Sequence, residues 1–345
     1  MPQDLNARDK NNGGSLELWC SRSPVPTASG IAAELNALHD EFARDGIALH
    51  NLREASSLEL RLCVFNHRLP GLFREGGNVP ALWARANGEN TALLGLTWVD
   101  EAQLILARPD SGIRDAQDLA GRKFALPKHR GDHVDPIRAM AFHGLLSALA
   151  LASLPSDAVR LVNIASAEFE GLKDDRKAPN EALDALLEGE VDAIYAKGAP
   201  AAGYIERYGL TTVVDLNAQP EARFRVNNGT PRTITVDRDL ATRRPDLVVR
   251  YLAVLIRTAL WAESHSDDVV RIVAEETGTD PASVTRGYGP ELHRRLLPQL
   301  SPSCLGVLQI QRNFLRDWGF IDAEVDIADW IVPAPLHEAI KLVEQ

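Results

Sequence analysis

Positive charge is in the minority: 37 Lys and Arg stand against 48 Asp and Glu, a formal net charge of −11. A chain of this balance lacks the basic footprint that a nucleic-acid partner requires. Cysteine is scarce. Cys20, Cys63 and Cys304 are odd in number and far apart, which excludes a disulfide framework and a cysteine-based zinc knuckle and fits reduced thiols. No apolar run reaches the ~18 residues of a membrane span. The first fourteen residues, Met1 to Gly14, are polar throughout and carry no apolar core of a signal peptide, so the chain as given is expected in the cytoplasm. There is no internal repeat, no Gly-x-Ser-x-Gly elbow and no Cys-rich iron motif. Neither a cofactor nor a metal is expected.

What is present is an ordinary globular composition, 45% hydrophobic and 25% charged over 345 residues, enough for one large or two medium cores. Short apolar runs alternate with amphipathic windows. Strands are predicted at 16–20, 47–52, 58–65, 93–99, 104–107, 123–126, 159–164, 193–195, 212–215 and 233–236. Helices are predicted at 31–44, 79–85, 137–151, 180–188, 200–207, 245–264, 267–277 and 303–318. This alternation predicts an α/β protein with mainly parallel sheets.

Four stretches carry candidate chemistry. In "SRSPVPTASG" (21–30) Pro24 and Pro26 stiffen a strand-to-helix turn, and Thr27 or Ser29 can cap the helix that follows. Ser23 there can be a nucleophile, a donor to an anion or a turn residue. Cys20, at the strand end, is a reactive thiol or a small buried hydrophobe. In "REGGN" (74–78) Arg74 offers a planar fork to a carboxylate, sulfinate or sulfonate. Gly76 and Gly77 permit close backbone approach, and Asn78 can cap the next helix. His67, in the loop leading to Arg74, can act as acid, base or donor, or be an exposed loop residue. "PKHRGDHVDP" (127–136) sets Lys128, His129 and His133 in a polar loop. Gly131 and Pro136 argue against the helix that a His129–His133 metal pair would need, and a cleft wall facing an anion is the favoured alternative. Trp98 ends a strand and can face a cleft; Lys197 sits at an equivalent strand end.

Taken in order, "SRSPVPTA", "FREGGNVPALWARA", "DLAGRKFALP", "GEVDAIYA", "RRPDLVVRYL", "ALWAESHSD" and "GYGPELHRRLLPQL" resemble the aromatic sulfinate desulfinases. More broadly, the chain resembles the nitrate, sulfonate and taurine substrate-binding proteins of ABC transporters, over nearly its whole length. The resemblance implies a two-lobe, periplasmic-binding-protein-like (type II) α/β fold with an interlobe ligand cleft. Lobe one would comprise 1–125 plus 217–345 and lobe two 126–216, with crossings near Leu126 and Leu216. It implies an anion grip by Arg74, Gly76 and Gly77. The family's cysteine before Pro-Val-Pro is Ser23 here. The family's histidine lies upstream of the arginine, where Val64 or a neighbour takes the aligned place and His67 is the only imidazole nearby. The expected function is therefore to hold a small or aromatic organic anion between two lobes, with a desulfinase-like C–S or C–C lyase or hydrolase as the alternative. An ABC permease becomes a partner only if an export signal is missing from this chain.

Overall fold

The computed structural model describes residues 17–129, 131, 133–166 and 180–345; the polar tract from Met1 to Gly14 and Arg130 lie outside the described residues. Its strands are β1 (Glu17–Cys20), β2 (Ala48–Asn51), β3 (Leu72–Gly76), β4 (Thr91–Thr97), β5 (Gln103–Ala107), β6 (Lys123–Lys128), β7 (Arg160–Ala165), β8 (Ala193–Lys197), β9 (Thr211–Asp215) and β10 (Arg232–Asp237). They form two five-stranded sheets, in the orders β2-β1-β3-β10-β4 and β7-β6-β8-β5-β9. The sheets are mixed rather than mainly parallel. β10 runs antiparallel between β3 and β4, and β5 runs antiparallel between β8 and β9. Each of these reversed strands is the first that the chain lays down after leaving the other sheet.

The first crossing falls earlier than expected. β5 already belongs to the second sheet, so the chain changes sheets at residues 98–102, and Leu126 lies inside β6. The return runs from the end of β9 to the start of β10, residues 216–231.

Three local departures from the sequence pattern matter for the site. The alternation Leu-Glu-Leu-Arg-Leu at 58–62 looks like a strand, but the segment is the helix Leu58–Asn66. Its Leu, Glu and Arg are good helix formers, and only Cys63, Val64 and Phe65 are buried. The strand of this region is β3, buried at every position. It escapes pattern reading because a charged pair, Arg74-Glu75, occupies its middle. The helix expected at 31–44 is two helices, Ala28–Glu34 and Ala37–Ala43, broken at Asn36, whose left-handed φ of 57° ends the first.

One face of the first sheet packs on the helix Pro245–Glu263, with Phe73 stacked on Tyr251 at 4.0 Å. The other face packs on Leu58–Asn66, Asn78–Ala86 and Pro302–Asp317. Ala199, from the helix after β8, enters the first of these cores, and Val134 and Ala139 enter the second. Residues of the second sheet's layer thus pack directly into the first. Among the described residues, no helix is long and apolar enough to cross a membrane.

Candidate anion-binding site

The turn after β1 is held from both sides. Ser21 donates its N–H to Phe73 O at 2.9 Å, extending the β1–β3 pairing by one step. Val25 N–H bonds to Ser23 O at 2.8 Å, a three-residue turn stiffened by the flanking prolines. Thr27, not Ser29, caps the helix, accepting from Gly30 N–H. Arg22 is tied to Glu34 and Glu276, each at 2.7 Å. Ser23 is left buried against β3, where its Oγ donates to Glu75 O at 2.9 Å. A Cβ on Gly76 would clash with that hydroxyl and lie 3.8 Å from Arg74 Nη2. Ser23 and Arg74 therefore meet over a position that only glycine can occupy.

Arg74 is 3% exposed. Its Nε donates to Val64 O at 2.8 Å, at the carbonyl end of the helix Leu58–Asn66, and its Nη2 donates to Gly77 O at 2.8 Å. Nη1 has only a long contact, 3.4 Å, to Thr233 Oγ1. Among the described residues no carboxylate pairs with this guanidinium. Burial alone brings its pKa down to about 10, the direction expected when a cation is desolvated without a counter-charge.

His67 caps the same helix in a left-handed conformation, φ 57°, and donates its N–H to Cys63 O at 2.8 Å. It is buried rather than in an exposed loop. Nε2 lies 3.1 Å from Thr235 Oγ1, and Thr235 is the β10 partner of Arg74. Nδ1 is buried with no partner. Burial, reinforced by the Arg74 charge, pushes the imidazole down to about 3, so His67 is neutral at physiological pH. Ser23, Gly76, Arg74, Thr233, Thr235 and His67 thus form one continuous row. The two threonines have no motif to mark them; they enter because β10 is threaded between β3 and β4.

The remaining candidates lie elsewhere. Cys20 is buried in the core, and burial pushes its thiol up to about 12, away from the thiolate form. Asn78 does not cap its helix. It is fully buried, and its Nδ2 donates to Asn227 O and Pro231 O. The cap comes from across the chain, where Asn228 Oδ1 accepts from Val79 N–H at 2.8 Å. The side chain of Asn228 fills the space over Gly77. Trp98 Nε1 donates to Asp100 Oδ1 at 2.8 Å. Lys197 Nζ sits 3.3 Å from Glu101 Oε1. His129 pairs with Asp135, the cap of the helix Pro136–Leu151, which raises its pKa. Lys128 is exposed at the end of β6. His133 stacks on Phe65 at 5.8 Å and meets Trp83 edge-on. Among the described residues, no His, Cys, Asp and Glu cluster suits a metal ion.

No family model matches the chain. A 2'-hydroxybiphenyl-2-sulfinate desulfinase of Rhodococcus erythropolis is 30% identical over 356 residues, covering 94% of this chain and 93% of that protein. The chain belongs to the 2'-hydroxybiphenyl-2-sulfinate desulfinase family. The family's Rhodococcus qingshengii protein matches to the same extent. Among solved structures, the desulfurization enzyme DSZB superposes with a TM-score of 0.76 at 26% identity, over 95% of this chain and 99% of that one. A cysteine-to-serine variant of DSZB in complex with biphenyl-2-sulfinic acid gives 0.75 at 27% identity, over 94% and 99%. The periplasmic aliphatic sulphonate binding protein SsuA of Escherichia coli gives 0.67 at 15%, over 93% and 92%. The desulfinase fold is thus the two-lobe α/β fold of periplasmic binding proteins.

Proposed function

We propose that this protein binds an aryl sulfinate, or a sulfonate or carboxylate of similar shape, at Arg74, and that it does so without desulfinating it. The observation that carries the reading is a fully desolvated guanidinium with no carboxylate partner among the described residues, held by two carbonyl oxygens in the row that also contains Ser23 and His67. Such a cation gains most from an anionic ligand, because the desolvation cost has already been met in folding.

Against chemistry stand the missing thiol and the missing base. A serine hydroxyl needs a base within hydrogen-bond reach, and here the Ser23 hydroxyl is spent on Glu75 O while His67 Nε2 faces Thr235. Family membership favours the second reading, a working desulfinase. One experiment separates them. Calorimetry with biphenyl-2-sulfinate should show binding, and Arg74→Ala should weaken it by about 2–5 kcal/mol, with no sulfite released by either protein. Unchanged affinity in Arg74→Ala would remove Arg74 from the site. Rapid sulfite release by the wild type would establish the desulfinase.

A further inference from the structure

Away from the Arg74 row, where the chain crosses between sheets, lies a cavity of about 440 Å³ whose wall contains three arginines and no carboxylate. In a chain of net charge −11 such a wall is unusual, and none of its residues is used by the reading above. Trp98 comes from the first crossing, Arg225 from the second, and Arg294, Arg295, Leu297 and Ser303 from the C-terminal part of the chain.

The parts are fixed in place. Asp100 Oδ1 accepts from Trp98 Nε1 at 2.8 Å and from Arg225 Nη1 at 3.2 Å. The guanidinium is thereby held over the indole, with the Arg225 carbon 5.7 Å from the ring centroid. That single contact is the only ion pair of Arg225 among the described residues, and its Nε is buried with no partner. Arg294 pairs with Glu291 outside the wall, at 2.9 Å. Arg295 is exposed, and among the described residues no carboxylate pairs with it. Leu297 and Val307 add apolar area to the same lining as Trp98.

We propose that this cavity beside the two crossings is a second binding site, for an organic anion that combines a flat aromatic ring with one sulfonate- or carboxylate-type group. Planar forks suit the anionic group, the part of the indole that Arg225 leaves uncovered and the aliphatic side chains of Leu297 and Val307 suit the ring, and the volume lies in the range of small-molecule sites. An occupant would touch both crossings at once.

The test uses naphthalene-2-sulfonate as probe and calorimetry on the Arg74→Ala protein, so that the first site is weakened beforehand. Binding should persist, and adding Arg294→Ala and Arg295→Ala, both exposed positions, should weaken it at least tenfold. Trp98 fluorescence should respond to the probe, and the response should vanish in Trp98→Phe. Affinity within twofold of the parent after both arginine substitutions would overturn the proposal. So would inorganic sulfate binding as tightly as the probe, which would reduce the cavity to a charged patch. Neither outcome bears on Arg74, whose own test is the biphenyl-2-sulfinate titration of the otherwise unaltered protein.

Discussion

At the scale of single residues, burial sets the titration of two histidines, one in the site and one outside it. His67 is held neutral with its pKa near 3, and His143, stacked on Phe314 at 4.0 Å and bonded to Gln311, near 4, in both cases chiefly by desolvation. An unfolded histidine titrates near 6.5. Below that pH the unfolded chain takes up protons that the folded chain refuses, so stability is complete above about pH 6.5 and falls as the pH is lowered towards 4 and then 3. Each histidine contributes about 1.4 kcal/mol per pH unit across its window. Urea unfolding at pH 7.5, 6 and 5 should show the decline, and flat stability over that range would mean that neither imidazole stays neutral. Ser23 supplies the second residue-scale prediction. Ser23→Cys introduces a thiol while leaving His67 Nε2 on Thr235, and a positioned base is worth about 10²–10⁴ in rate. Sulfite release by Ser23→Cys should therefore stay within about tenfold of the wild type. A larger rise would show that an imidazole reaches position 23 after all.

At the scale of elements, the N-terminus of the helix Asn78–Ala86 depends on a residue far away in sequence. Asn228 accepts from Val79 N–H while its backbone carbonyl takes the Asn78 N–H at 2.8 Å. Its Nδ2 also reaches Met140 Sδ at 3.6 Å. Asn228→Ala should lose a helix cap, about 1–2 kcal/mol, seen as a lowered melting temperature, whereas Asn78→Ala should act through the 227–231 turn. If Asn228→Ala melts with the wild type, the cap contributes nothing. This dependence shows what a linear reading can reach. The alternation of elements, the turn at Pro24–Pro26 and the Arg-Glu-Gly-Gly stretch were legible because each is local. β3 was not, since its buried Arg74 and Glu75 break the apolar run that signals a strand. The helix Leu58–Asn66 reads as a strand because its opening residues, Leu-Glu-Leu-Arg-Leu, alternate apolar and charged side chains. Thr233 and Thr235 became site neighbours only through the insertion of β10, a long-range pairing that no window of sequence contains.

At the scale of the whole molecule, the two sheets are joined through a buried charge. Glu101, in the first crossing, is fully buried and lies 3.2 Å from Arg232 Nη2 at the start of β10 and 3.3 Å from Lys197 Nζ at the end of β8. Gly229, in the second crossing, is packed so closely on its carboxylate that no Cβ fits between them. One carboxylate thus links both sheets and both crossings. The two cations are not equivalent. Arg232 is fully buried, with Nε and Nη1 unpartnered, while the side chain of Lys197 is 22% exposed. Removing the negative charge would leave Arg232 uncompensated in the interior, which costs about 3–5 kcal/mol, whereas water can take over part of the Lys197 charge. Glu101→Gln should therefore lower the unfolding free energy by about that amount. Lys197→Met should lower it by about 1 kcal/mol or less, as for a pair with one partly exposed member. Equal losses in the two variants, read from urea midpoints at constant slope, would mean that Glu101 acts on Lys197 rather than Arg232. The carboxylate would then belong to the end of β8, not to the junction of the two crossings.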